Sequence, residues 1–349
     1  MTDAAKNALR PYLTYPAWSA MVLVLIVSLL LPAPLVTKIA PYPFALSVVF
    51  LGLPHGAWDH RVLAAVRGDV LTLRHLSLVC GAYIVPMLAF GALFFALPGA
   101  AFIAFILLSW IHWGQGDAAY IRDAFPGYKA VTVWLVWLVR GGAPIVLPVL
   151  RFPETFARIA RGVVGLFVPQ SEMGANDWTL SPVAANAGLI VLGALVAVYV
   201  LLALRRIRTH RAAVTHDVGE IALLYIVFAL SDPLLAVGVY FCFWHGLRHI
   251  GRLLLLDKVS AGLCAGGRVW AAGARFVGQC LPILLASLLI LAGVYLWAIR
   301  AAPGGGNGDT ALSVYLALIA CLTFPHFLLV CWMDAARPVV EERHETSRQ

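Results

Sequence analysis

Five histidines stand inside apolar stretches of this chain, at positions where a metal could use them: His55, His112, His245, His249 and His326. Imidazole is costly in hydrocarbon, so a histidine at membrane depth is read as functional by default. A lone buried histidine serves equally well as a packing residue that donates to a backbone carbonyl, and several at one level weaken that reading. His245 and His249 are four residues apart and therefore share a helical face. Together with two of the single histidines they offer four neutral nitrogen ligands to one first-row metal. Imidazole suits iron, copper and zinc alike, so ligand type leaves the metal open. His55, His112 and His326 are the single histidines of this set.

The words around these histidines add detail. In Leu53-Pro54-His55-Gly56-Ala57-Trp58-Asp59-His60, Asp59 follows His55 by four residues. On a helix it would share the face of His55 and could accept an imidazole N–H from behind the metal. His60 is turned from His55 by about 140° on an ideal helix and is a reserve candidate. His112 lies in Trp110-Ile111-His112-Trp113-Gly114-Gln115-Gly116-Asp117, where Asp117 is a further candidate acceptor. His245 lies in Phe241-Cys242-Phe243-Trp244-His245-Gly246. Glycines beside a ligand let helices approach closely. The aromatics Trp58, Trp110, Trp113, Phe241 and Trp244 are candidate walls of a long apolar cavity, although any one of them alone is ordinary membrane packing.

The elements that must position these residues are membrane helices. The 349 residues are 62% hydrophobic and 12% charged, against about 25% charged in an ordinary soluble domain. This excludes a soluble globule, a disordered chain and a collagen-like chain. Six cysteines without zinc spacing make neither a disulfide framework nor a redox motif. The expected fold is all-α: a polytopic transmembrane helix bundle of about ten helices, with a range of about 8–10, a metal site in its core and a single domain over 1–349. Helices are expected at about 17–36, 44–63, 76–97, 100–119, 131–150, 183–204, 218–231, 234–252, 276–299 and 311–333. The first apolar run is long enough to span, so no cleavable signal peptide is expected. Segment 151–182 reads as an amphipathic connection lying on the membrane surface, and 334–349 as a mobile polar tail.

The net charge of +8 does not point to nucleic acid, because the cations sit in short loops facing lipid headgroups. Most of them fall on one side of the ten-helix layout, which places both termini in the cytoplasm of a cell-membrane protein. Arg140 and Arg248 lie within helices instead. Under this topology the second, fourth, eighth and tenth helices run in one direction. His55, His112, His245 and His326 then lie roughly 16–23 Å into a core of about 30 Å.

The chain resembles the Brp/Blh family of bacterial and archaeal membrane β-carotene oxygenases, which are associated with retinal supply to rhodopsins. The resemblance rests on Pro54-His55-Gly56-Ala57-Trp58-Asp59-His60, His112-Trp113-Gly114, His245-Gly246-Leu247-Arg248-His249 and Pro325-His326. It runs from the second expected helix to the tenth; the N-terminal helix, 151–182 and the tail carry no matching motif. It implies an iron enzyme that uses dioxygen to cleave β-carotene at its central double bond into two molecules of retinal. The implied iron ligands and catalytic residues are His55, His112, His245 and His249, which leaves His326 as a reserve candidate, with β-carotene, membrane lipids and a retinal-binding rhodopsin as partners.

Four imidazoles leave up to about two positions on Fe(II) for dioxygen. Acceptors such as Asp59 and Asp117 would hold the ligands and offset the ferrous charge. A polyene has no acidic proton and no leaving group, so the protein's task is to position one particular double bond. Two other readings use the same features: a membrane protein that binds a carotenoid or retinal without cleaving it, and a haem or other-metal oxidoreductase. A di-iron desaturase fits poorly, since HxxxH occurs once and His-His is absent.

Overall fold

A computed structural model describes residues 3–49, 51–129, 131–168, 178–301 and 308–346. The described residues are helical and contain no strand. In chain order the α-helices are α1 (Asp3–Leu30), α2 (Ala33–Ile39), α3 (Pro41–Val49), α4 (Gly52–Ala57), α5 (Val62–Arg67), α6 (Leu73–Ala96), α7 (Pro98–Ala124), α8 (Val133–Gly142) and α9 (Val146–Arg151). They continue with α10 (Pro153–Val164), α11 (Pro182–Leu204), α12 (Arg211–Leu230), α13 (Pro233–Tyr240), α14 (Leu247–Leu256), α15 (Lys258–Ala265), α16 (Val269–Ala301) and α17 (Gly308–Thr346). A 3-10 turn, Asp59–Arg61, separates α4 from α5, and a π-helical stretch, Phe241–Gly246, joins α13 to α14.

Seven of these helices, α1, α6, α7, α11, α12, α16 and α17, are long and apolar enough to cross a membrane. The expected count of about ten is therefore corrected. Segments 44–63 and 131–150 are broken rather than continuous, and 234–252 is a helical run whose middle is π rather than α. The first is interrupted on either side of the short α4, which holds Gly52, Pro54 and Gly56, and the second at 143–145, where Pro144 follows Gly141 and Gly142; proline and glycine weaken a helix interior. The third changes to π geometry, which recurs at functional sites. Irregular backbone at membrane depth survives only where protein surrounds it, and these segments hold the fully buried Trp58, Arg140 and Trp244. Two ends also move. α1 begins at Asp3 rather than near 17, and α12 begins at Arg211 rather than 218, because Asp217 is buried and ion-paired instead of lying in a loop.

Sharp local signals set several starts. Asp232 accepts from the Leu234 and Leu235 amides ahead of α13, with Pro233 in the first turn, and Ser181 accepts from the Ala184 amide ahead of α11, followed by Pro182; both are favourable helix openings. Within 151–182 the described part is α9, α10 and the turn after it, while 169–177 lie outside the described residues. α17 continues through 334–346, and the side chains of the tail from residue 337 onward lie outside the described residues.

The chain divides into two compact units. The first comprises Met1–Leu9, Leu53–Phe105 and Ile250–Gln349, the second Arg10–Gly52 and Ile106–His249. In the first, α17 packs on α5, α6 and α16, and α15 on α16. Phe90 lies against Phe94 and Phe324, with ring centres 5.8 and 5.6 Å away. In the second, α11 packs on α8 and α9, and α13 on α3. α7 and α8 meet backbone to backbone there. A Cβ on Gly114 would fall 2.1 Å from the Trp137 carbonyl oxygen, and one on Gly141 2.0 Å from that of Trp110. Only glycine permits this approach, as at other small-residue helix crossings.

Candidate functional site

In the first unit, His55 sits on the short α4 and Asp59 opens the 3-10 turn after it. The two are thus not on one continuous α-helical face. Asp59 Oδ2 instead accepts from His326 Nδ1 of α17 at 2.5 Å and from the Tyr83 hydroxyl of α6. The Tyr83 oxygen is also 3.5 Å from His326 Nδ1. His55 meets His326 edge to face, with ring centres 5.1 Å apart and planes at 78°. His55, Asp59 and His326 are all buried. A carboxylate can only accept, so the proton of His326 lies on Nδ1 and the lone pair on Nε2. Carboxylate–histidine pairs of this kind orient metal-ligating imidazoles.

The other expected residues of this region have near neighbours of their own. The Trp58 indole N–H donates to Gln279 Oε1 at 2.8 Å, and its ring stacks on Phe276. His60 Nδ1 lies 2.8 Å from the Ala57 carbonyl oxygen of its own turn.

The second unit brings together His112 of α7, His245 of the π stretch and His249 of α14, all buried. His112 and His245 have ring centres 4.9 Å apart with planes at 71°. His245 and His249 are 6.5 Å apart and nearly parallel, at 13°. Trp113 and Phe241 flank His245 at 5.5 and 6.2 Å and stack on each other at 5.8 Å. Gly116 leaves room for the same ring: a Cβ there would stand 3.3 Å from His245 Nδ1. Trp110 and Trp244 turn elsewhere. The Trp110 N–H donates to the Leu138 carbonyl at 2.9 Å, and that of Trp244 to Asp117 Oδ1 at 3.0 Å.

Beside these histidines lies a buried ionic cluster. Arg140 Nε donates to Asp117 at 3.0 Å, its Nη1 to Asp217 at 2.8 Å and its Nη2 to Glu220. Arg248, between His245 and His249 in sequence, donates to Asp117 at 3.1 Å and to Glu220, and its guanidinium lies 3.8 Å above the Tyr120 ring. Tyr128 and Tyr199 donate to Asp217, and Trp18 to Glu220. Asp117 therefore serves two arginines and a tryptophan. Asp217 and Glu220 were not singled out by sequence reasoning, and Arg140 only as a cation within a helix, although charges within apolar runs are the signal that finds such residues, because each must be paired.

Within each unit one pair of imidazoles has the ring separation that two adjacent ligands of one metal would have. With metal–nitrogen bonds of about 2.1 Å, two imidazoles in adjacent coordination positions have ring centres about 4.5–5.2 Å apart. The pairs His55–His326 at 5.1 Å and His112–His245 at 4.9 Å both have that separation. An all-nitrogen donor set suits iron, copper or zinc.

Comparison with known proteins gives consistent matches. The family described as "Beta-carotene 15,15'-dioxygenase" matches residues 46–334. A Halobacterium salinarum protein named "Probable beta-carotene 15,15'-dioxygenase Blh" is 35% identical over 306 residues, covering 85% of each chain. "Probable beta-carotene 15,15'-dioxygenase Brp" of the same species is 27% identical over 317 residues, covering 85% of this chain and 84% of its own. "Beta-carotene 15,15'-dioxygenase" of the uncultured marine bacterium 66A03 is 23% identical over 290 residues, covering 81% of this chain and 90% of its own. No solved structure matches the chain.

Proposed function

The chain belongs to the β-carotene 15,15'-dioxygenase family of enzymes, and from that premise we propose that it cleaves β-carotene at its central double bond, with dioxygen as co-substrate, into two molecules of all-trans-retinal. We further propose a non-haem iron held by His55, His112, His245 and His249. The observation that carries this reading is the pairing of the buried imidazoles of His112 and His245 at the separation of adjacent metal ligands, in residues inside the family match. Ferrous iron, when bound, supplies the redox chemistry that lets dioxygen react with a closed-shell polyene.

The chain's own residues bind, orient and exclude water. Addition of both oxygen atoms across one C=C bond and its scission into two aldehydes balances without a proton or an added reductant. The acids nearest the histidines fit that absence of proton traffic: Asp59 is engaged by His326 and Tyr83, and Asp117 by Arg140, Arg248 and Trp244. Trp113 and Phe241 offer apolar faces beside His245, the surface against which a polyene can be held in a fixed register. The substrate enters from the bilayer of the cell membrane, both termini face the cytoplasm, and a retinal-binding rhodopsin is the acceptor of the product.

The test is expression in β-carotene-producing cells, with retinal measured by chromatography and the loss of colour followed. Retinal accumulation under air is expected. Persistent colour without retinal, from inserted and iron-loaded protein, would overturn the reading.

A further inference from the structure

We infer that His326 is an additional metal ligand, presented through Nε2 beside His55, and that Asp59 and Tyr83 are positioning residues that fix its tautomer and ring orientation. This rests on the iron reading above and extends its ligand set. Sequence spacing pairs Asp59 with His55, four residues away; the fold gives that carboxylate to an imidazole 267 positions distant.

Several independent features converge on His326. Its Nδ1 donates to Asp59 Oδ2 at 2.5 Å, which fixes the lone pair on Nε2, the form a metal requires. The same Oδ2 accepts the Tyr83 hydroxyl, so the carboxylate is held from α6 as well as from α17. Gly56 lies against this pair: a Cβ there would stand 4.0 Å from both Asp59 Oδ2 and His326 Nδ1. The His55 ring lies 5.1 Å away at 78°, the separation of adjacent ligands and an orientation that keeps the two rings from clashing. A carboxylate behind the imidazole raises its basicity and supplies negative charge toward a dication whose other proposed ligands are neutral.

A packing clamp of α6, the 3-10 turn and α17 would show the same hydrogen bonds, so the test must read the metal itself. The full chain, purified in detergent and stripped with a chelator, is titrated with Co(II), and affinity, stoichiometry and visible ligand-field bands are recorded. His326→Ala is expected to weaken Co(II) binding about 10–100-fold and Asp59→Asn about 10-fold. His326→Ala also changes the band intensities toward a lower coordination number, and added imidazole restores the wild-type spectrum. Should His326→Ala fail to fold, Asp59→Asn, which keeps the side-chain shape, answers the same question through affinity and spectrum. A folded variant of either kind with wild-type Co(II) affinity and bands overturns this inference alone. A wild-type chain that binds no metal and forms no retinal overturns the iron reading, and this inference with it.

Discussion

In the unit containing His55 and His326, a carboxylate is bonded directly to an imidazole, and its second partner is a neutral tyrosine. In the unit containing His112, His245 and His249, the carboxylates Asp117, Asp217 and Glu220 go to the guanidinium groups of Arg140 and Arg248. The contrast separates two uses of buried polarity. Asp59 sets the state of one imidazole. The ionic cluster ties together α7, α8, α12 and α14, the helices that carry or flank the other histidines, and so acts on the fold rather than on any one ligand. A charge pair of this kind contributes little net stability when intact but is costly to halve.

The sharpest way to break this division is to remove a histidine and a cluster arginine in parallel. The largest effect expected is on activity: His245→Ala or His249→Ala abolishes retinal formation and lowers bound iron, while membrane insertion and thermal unfolding remain close to wild type. Iron and activity that both survive would refute the ligand assignment. Arg140→Ala is expected to act the other way. It leaves Asp117, Asp217 and Glu220 buried with one guanidinium between them, at a cost of about 3–5 kcal/mol, read as loss of monodisperse protein and a lower unfolding temperature. A stable Arg140→Ala chain would show that the cluster does not hold the fold.

Smaller effects sharpen the same comparison. Gly114→Ala drives a methyl into the Trp137 carbonyl and must separate α7 from α8, costing about 1–3 kcal/mol by overpacking, measurable as a shift of the thermal transition. The smallest effect concerns Asp257, a partly exposed acid in the first unit that caps α15. Its burial would raise the pKa, but hydrogen bonds from the Ser260 side chain and amide and from Arg275 outweigh this and hold it below the ordinary value. Its contribution is present above the unfolded value of 3.8 and is lost as pH falls through the lower folded value. Asp257→Ala should cost about 1 kcal/mol near neutrality, as a lost cap, and flatten the acid limb of a stability-against-pH curve.

Much of the site was legible in the chain because its signals are local. Histidines within apolar runs, the His245-x-x-x-His249 spacing and the aromatic neighbours Trp113 and Phe241 stand out against lipid-compatible sequence, where every polar group calls for a reason. The breaks in 44–63 and 131–150 and the π stretch in 234–252 were harder to read. Apolar composition alone suits a spanning helix and a buried, interrupted one equally, and the glycines and prolines in these stretches also occur in intact membrane helices.

Amino-acid order alone determined the membrane class, the all-helical character and the identity of the buried imidazoles. Each follows from composition and from residues no more than about one or two turns apart. Tertiary structure decided which partner each buried polar group received. Asp59 turned from His55 to His326, Asp117 became an anchor for Arg140 and Arg248, and Trp244 left the histidines for that same carboxylate. Helical periodicity says which residues share a face, whereas a buried charge or hydrogen-bonding group is satisfied by whatever the packing of distant helices brings within about 3 Å.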